Sequence, residues 1–435
     1  MSLLSDLLSK VSDIGRSLRT PSSMLNLSLA EECEAMFSKK GEATTLAHAA
    51  QILNSYAQLD DNERKLQFFK DIQARFGIDT TALEKAIEAW QKDQTETAAR
   101  MLHFASEPRS QDLIRRLNQA PNGTSSLVKM RTDLLKFMKI EADLRALDKD
   151  FSHLFNSWFN RGFLELQRID WNTPAAILEK IIAYEAVHEI NGWDDLRQRV
   201  GAPDRRLYGY FHPALGNEPL IFVEVALLKE VPGAIGPILS DDRDPIQAEE
   251  ATTAVFYSIS NCQTGLRGIS FGNFLIKQVV EDLRHEFEKL DTFITLSPVP
   301  GFRKWAEKAH LEMSDNLSGK DNETLGILTA CQNDTEVMDV LPNLDHMPEL
   351  LARYLISSKG KDGGAVDPVA RFHLGNGARL ENLHMMGDIS KRGLKNSWGC
   401  MVNYQYRIKD IEKNHETYVN NGEVIAAPHV AGLLK

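Results

Sequence analysis

The chain has no apolar run near the ~18 to 20 residues that a membrane-spanning helix requires. It has only four cysteines in 435 residues: Cys33, Cys262, Cys331 and Cys400. No two stand close enough for a CxxC pair, so neither a zinc knuckle nor a thioredoxin-like motif is written here. Few, scattered thiols fit a reducing cytosol. Positive charge is also short: 50 Lys and Arg face 61 Asp and Glu, a net charge of −11. That excludes a general binder of nucleic acid or of anionic membrane surfaces, while leaving room for a local basic pocket. There are no internal repeats, no low-complexity tracts, no Walker loop and no GxGxxG. Near the N-terminus, Leu4, Leu7, Leu8, Val11 and Leu18 recur at helical spacing, but Asp6 and Asp13 interrupt any signal-peptide core. The C-terminal AGLLK is no peroxisomal or anchor tail. A cytoplasmic protein is expected.

What is present describes a globular protein. Apolar residues make up 43% and charged residues 26%, enough for a sizeable core in two or three domains. Up to about Arg161 the periodicity is helical throughout. ATTLAHAAQILNSYAQL, NERKLQFFKDIQARF, ALEKAIEAWQK and SSLVKMRTDLLKFMKIEADLRALDKDFSHLFNSWF place apolar residues at i, i+3 and i+4. Short breakers separate them, with Asp79 as an N-cap candidate and APNG at 120–123 as a turn. Such stripes predict a helical bundle, with a further use as an oligomer surface. After Phe163 the pattern changes. RLYGYFHPAL, EPLIFVEVALLKE, TTAVFYSIS and SWGCMVNYQYRI are strand-like runs bounded by Gly and Pro. The expected fold is α+β: an all-helical bundle over 1–161, then a mixed α/β domain over 162–435 with mostly antiparallel strands.

Three places carry chemistry. The loop Arg267, Gly268, Ile269, Ser270, Phe271, Gly272, Asn273 follows a strand ending near Ser260 and feeds a helix expected from about Phe271 to Phe287. Glycines that free backbone N–H groups, backed by a helix N-terminus, suit phosphate, and Arg267 adds charge. The alternative is a flexible turn. Gly268 to Gly272 also matches GxSxG, but Ser270 stands ten residues beyond the strand, too far for a nucleophile elbow. Ser297 follows the strand TFITL and precedes Pro298-Val299-Pro300-Gly301, which makes it either a pre-organised functional serine or a cap of the FRKWAEKAH helix. His373 lies near a helix C-terminus in ARFHLGNGAR, where the dipole raises a histidine pKa and burial opposes it. His212, His285, His310 and His384 compete with it on sequence alone.

In order, these segments are similar to the malonyl-CoA decarboxylase family. The likeness rests on FYSIS with QTGLRGISFGNFLIK, then LSPVPGF, ARFHLGNGA and the strand NYQY at Asn403 to Tyr406. It reaches back through NEPL at 217–220 to SWFNRGFLELQRIDWNTP. The resemblance implies a GNAT-like catalytic domain. GNAT enzymes seat the CoA pyrophosphate on an R-G-x-G-x-G loop, which looks like Arg267 to Gly272 with Ser270 in place of the middle glycine. They carry a general-acid tyrosine in L-Y-x-x-x-G-F. The register Phe372 to Ala378 puts His373 at that position, which suggests a changed reaction on a CoA scaffold.

The resemblance further implies Ser297 and His373 as the catalytic pair, with Ser297 as proton acceptor or carboxylate ligand and His373 as proton donor. It implies Arg267 to Asn273 as the CoA-binding loop. Tyr404 would orient the acyl group. The implied substrate is malonyl-CoA, with no metal, biotin or pyridoxal, and with a homodimer or homotetramer formed through the helical domain. Loss of CO₂ leaves a thioester enolate that must be stabilised and then protonated at carbon, for which a positioned acid contributes roughly 10² to 10⁴-fold. Competing readings are a GNAT acyltransferase using acetyl-CoA, a malonyl-CoA-binding protein without turnover, and a serine hydrolase at Ser270.

Overall fold

A computed structural model describes residues 28–37, 41–269, 271, 275–314, 317–361 and 363–435. The N-terminal apolar periodicity, Ser270, Gly272 and Asn273 lie outside the described residues. The chain divides into two compact units. One runs up to Leu164 and takes in His212–Gly216 and Gln263–Phe271; the other comprises Glu165–Phe211, Asn217–Cys262 and Gly272–Lys435.

The first unit is helical: α1 (Leu29–Ala35), α2 (Glu42–Ala57), α3 (Asn62–Arg75), α4 (Thr80–Lys92), α5 (Glu96–Ala105), α6 (Arg109–Asn118), α7 (Gly123–Phe137) and α8 (Arg145–Trp158). The starts follow the local chemistry. Ser28 and Glu31 form a capping box on α1, and Asp61, Asp79 and Thr95 accept from the first-turn amides of α3, α4 and α5. Such caps each contribute about 0.5 to 2 kcal/mol. The apolar stripes converge: Phe68, Phe69, Leu113, Leu117, Leu127, Leu134, Phe151 and Phe155 are all buried.

The short turn Thr264–Leu266 packs against α7. A Cβ built on Gly265 would come within 1.9 Å of the Val128 carbonyl oxygen, so only glycine allows this approach. Arg131 of α7, itself buried, donates through Nη1 to the carbonyls of Gly265 at 2.8 Å and Arg267 at 3.0 Å. Its Nε meets Asp148 of α8 at 2.7 Å and its Nη2 meets Ser152 Oγ at 2.9 Å. A buried guanidinium is tolerated because its donors are met by a carboxylate, a hydroxyl and two carbonyls.

The second unit is built on one sheet in the order β1-β2-β3-β4-β5-β8-β6, with β7 on β8. The strands are β1 (Glu165–Ile169), β2 (Arg205–Phe211), β3 (Pro219–Leu228), β4 (Thr253–Asn261), β5 (Thr292–Thr295), β6 (Ser297–Pro298), β7 (Arg379–His384) and β8 (Met401–Gln405). All pairings are antiparallel except β4 with β5. β2, β3 and β4 read as near-continuous apolar runs because both of their faces are covered. Leu207 and Phe211 cluster with Ile177, Leu178, Ile181 and Leu196 of α9 (Ala175–Tyr184) and α10 (Trp193–Val200). Tyr210, one residue out of phase, donates its hydroxyl to the Leu275 carbonyl at 2.5 Å on α11 (Leu275–Glu286). A helical bundle followed by a mixed α/β domain with mostly antiparallel strands is the architecture expected from the sequence. The helix expected from about Phe271 is described from Leu275. No helix among the described residues is long and apolar enough to cross a membrane.

Replacing Gly265 with alanine forces a methyl group against the α7 backbone. Gly265→Ala is expected to lower the unfolding free energy by about 1 to 3 kcal/mol, measured by urea denaturation; an unchanged midpoint would refute the close packing.

Candidate active site

β5 ends at Thr295, and two residues later Ser297 opens β6, which pairs with β8 through Ser297 and Val402. Ser297 does not cap the next helix: α12 (Phe302–Leu311) begins five residues on, with Gly301 at its N-cap. His373 comes from α13 (Pro368–Gly375). Buried Asp367 starts that helix by accepting from the amides of Val369 and Ala370, both at 2.9 Å, and it also accepts from the Tyr354 hydroxyl at 3.1 Å. Pro368 at the first position suits the fixed φ of a helix start.

These elements bring Ser297, His373 and Tyr404 into contact. Ser297 Oγ lies 3.1 Å from His373 Nε2 and donates to Thr295 Oγ1 at 2.8 Å. His373 Nδ1 lies 2.8 Å from the Tyr406 hydroxyl. Tyr404 stacks on the imidazole, with ring centroids 4.7 Å apart and planes 22° from parallel. Its backbone N–H donates to Thr295 Oγ1 at 3.0 Å. Asn403, between these strand residues, donates to the Thr295 carbonyl at 2.7 Å and accepts from His384 Nε2 at 2.6 Å. Tyr406 extends the pairing of β8 by donating its N–H to the Phe293 carbonyl at 2.8 Å.

Burial governs the electrostatics. Ser297 is 5% exposed and His373 3%. The helix C-terminus does not lift the imidazole; removal from water dominates and pushes the His373 pKa down to about 3. The ring is therefore uncharged at neutral pH. Burial drives the Tyr406 and Tyr404 phenols well above their ordinary values, so both keep their protons. A cavity of about 460 Å³ lies elsewhere in this unit, bounded by Val187, His188, Ile235, Met386, Asp388 and Arg392, and neither Ser297 nor His373 lines it. Among the described residues no group of three or more His, Cys, Asp or Glu is placed to hold a metal ion.

Of the loop residues, Arg267, Gly268, Ile269 and Phe271 are described, and they belong to the helical unit. Arg267 is exposed, Ile269 buried and Phe271 half-buried. Gly268 adopts φ +79 with open space where a side chain would be, a left-handed conformation suited to glycine. Reading the sequence alone missed three residues. Thr295 and Tyr406 each stand two positions from a residue already singled out, Ser297 and Tyr404, and the period of two along a strand brings such neighbours to one side. Arg131 left no comparable trace, since on its helix it reads like Lys129.

His373 takes a proton near pH 6.5 when unfolded but only near 3 when folded. Between these values the unfolded chain holds the extra proton, so stability falls as pH falls, by about 1.4 kcal/mol per pH unit for this group. His188, lowered to about 4 by burial, acts in the same direction. His373→Gln should therefore reduce the acid slope of the unfolding free energy by about 1.4 kcal/mol per pH unit in that window, measured by urea titrations across pH. Equal slopes would mean that the native imidazole is not held neutral.

The comparisons with known proteins cover both units. The family model of the malonyl-CoA decarboxylase N-terminal domain matches residues 76–159, and that of the C-terminal domain matches 162–435. The mitochondrial malonyl-CoA decarboxylase of Anser anser anser is 32% identical over 415 residues, spanning 88% of this chain and 82% of that protein. The mitochondrial enzyme of Mus musculus is 31% identical over 438 residues, 91% of this chain and 87% of its own. Among solved structures, malonyl-CoA decarboxylase from Rhodopseudomonas palustris superposes with a TM-score of 0.89 at 50% identity, covering 94% of this chain and 100% of that one. The Agrobacterium vitis protein gives 0.87 at 52% identity over the same shares. With its C-terminal domain matched from end to end and both mitochondrial relatives above 30% identity, this chain belongs to the malonyl-CoA decarboxylase family.

Proposed function

We propose that this protein converts malonyl-CoA to acetyl-CoA and CO₂, with His373 as the proton donor and Ser297 as the group that accepts a hydrogen bond or holds the malonyl carboxylate. The observation that carries this reading is the buried chain Tyr406–His373–Ser297, in which an uncharged imidazole is bonded at both nitrogens. Breaking the bond between the α-carbon and the carboxylate releases CO₂ and leaves the electron pair on the thioester as an enolate. The enolate carbon then needs one proton. His373 delivers it from Nε2, the nitrogen on the Ser297 side. A neutral ring that gave up a proton unaided would become imidazolate, so Tyr406 supplies its hydroxyl proton to Nδ1 in the same step. Nδ1 then returns its proton to the phenolate and water reprotonates Nε2, leaving hydroxide. An enolate carbon is a far stronger base than a phenolate, so the transfer runs downhill even though burial opposes a charged tyrosine. Tyr404, flat against the imidazole, holds its plane and borders the acyl group.

On the same reading, the loop Arg267–Asn273 takes the CoA phosphates. Exposed Arg267 and left-handed Gly268 support this, as does the anchoring of the loop backbone by Arg131. The chemistry calls on no metal, biotin or pyridoxal. The protein acts in the cytoplasm, a reading supported by its four unpaired cysteines. It self-associates through the helical unit, where Met101 is 54% exposed and Phe104 70% exposed on α5.

Incubating the protein with malonyl-CoA and weighing the products tests the reaction. Acetyl-CoA and CO₂ without an acceptor are expected; unchanged substrate, or free CoA formed only with an acceptor, would defeat the reading. His373→Asn should slow turnover by about 10²-fold or more while CoA affinity is retained. Phe104→Glu should shift the sedimentation coefficient towards that of a monomer, and a monomeric parent protein would remove the self-association proposal.

A further inference from the structure

The direction of the Ser297–His373 hydrogen bond follows from counting protons. Ser297 Oγ has one, and the geometry sends it to Thr295 Oγ1 at 2.8 Å. With its proton committed, Ser297 meets His373 Nε2 only as an acceptor. A neutral imidazole has a single N–H, so that proton stands on Nε2. Nδ1 is then a bare acceptor for the Tyr406 hydroxyl. The backbone N–H of Tyr404 occupies a second lone pair of Thr295 Oγ1 and locks that hydroxyl in place.

We propose that Thr295 is a positioning residue that sets the direction of the whole chain, from Tyr406 to Nδ1, from Nε2–H to Ser297 and from Ser297 to Thr295, and so holds Ser297 as an acceptor and not as an activated nucleophile. The proposal deepens the decarboxylase reading and rests on it. In a serine hydrolase the polarity is reversed, and a bare ring nitrogen takes the hydroxyl proton. With that polarity Ser297 Oγ could attack the thioester carbonyl. The O–C bond would form, the C–S bond would break, and the serine proton would pass through Nε2 to the CoA sulfur. Water would then cleave the acyl-serine to free malonate. In the proposed arrangement Nε2 already holds its proton, so the first transfer has no acceptor. The same proton is the one the enolate carbon needs. Thr295 therefore favours carbon protonation and suppresses hydrolysis through a single hydrogen bond.

Replacing Thr295 with valine keeps the shape and removes the acceptor. The Ser297 proton then has Nε2 as its partner within reach, and the ring N–H moves to Nδ1. Nitrogen-15 NMR of histidine-labelled full-length protein reads this directly, with His373 identified by its loss in His373→Gln. The wild type is expected to carry its proton on Nε2 and Thr295→Val on Nδ1. With malonyl-CoA, Thr295→Val should form acetyl-CoA about 10²-fold more slowly at little-changed KM, and free CoA with malonate should appear. Thr295→Ser, which retains the acceptor, should recover the Nε2–H signature and most of the rate. A wild-type proton on Nδ1 overturns the proposal, as does Thr295→Val that keeps both the Nε2–H signature and the wild-type rate. Should the valine variant fail to fold, the wild-type tautomer and the serine variant decide. An Nε2–H wild type that makes no acetyl-CoA would sustain the Thr295 assignment and defeat the decarboxylase reading.

Discussion

β8 hydrogen-bonds to β5, β6 and β7 at once, and the candidate active site depends on that pairing. The ladder fixes Ser297 opposite Val402 and sets the Tyr404 amide on Thr295 Oγ1. It continues to Tyr406 through the Phe293 carbonyl. Asn403 reinforces the junction from within β8, since its side chain donates to the Thr295 carbonyl and accepts from His384. A buried strand end leaves few polar groups unpaired, because each lost partner would cost about 1 to 3 kcal/mol. Here the partners that satisfy the backbone also aim the side chains.

The imidazole is built into this frame, not added to its surface. Asp367 and Pro368 start α13, Tyr404 covers one ring face, and hydroxyl groups of Ser297 and Tyr406 meet both nitrogens. Among the described residues no carboxylate is hydrogen-bonded to the ring, and burial keeps it neutral. The nitrogen that a carboxylate holds in a hydrolase triad is here held by a phenol. A phenol can give a proton where a carboxylate can only accept one, which suits an acid better than a base.

The segment around Gly265 and Arg267 is held in place by residues outside it. Its two described glycines serve different purposes. Gly265 allows the close approach to Val128, while Gly268 takes the left-handed turn. Arg131, more than a hundred residues earlier in the chain, fixes the carbonyls of both Gly265 and Arg267. Once those carbonyls are tied to the helix, the exposed Arg267 side chain projects from a settled backbone.

Local chemistry determined a good deal from sequence alone. Apolar spacing marked the helices, Asp79 marked a helix start, and apolar runs marked the buried strands. The linked motifs around Ser297, His373 and the NYQY strand carried the family resemblance, while Ser297 could still be read as a cap of the following helix. Tertiary structure decided the rest. The pKa of His373 turned on burial, which opposes the helix-end effect legible in ARFHLGNGAR and exceeds it. Thr295, Tyr406 and Arg131 acquired their places through contacts between residues 2 to 136 positions apart. No periodicity records such pairings, because the sheet register and the packing of helices bring them together only after the chain has folded.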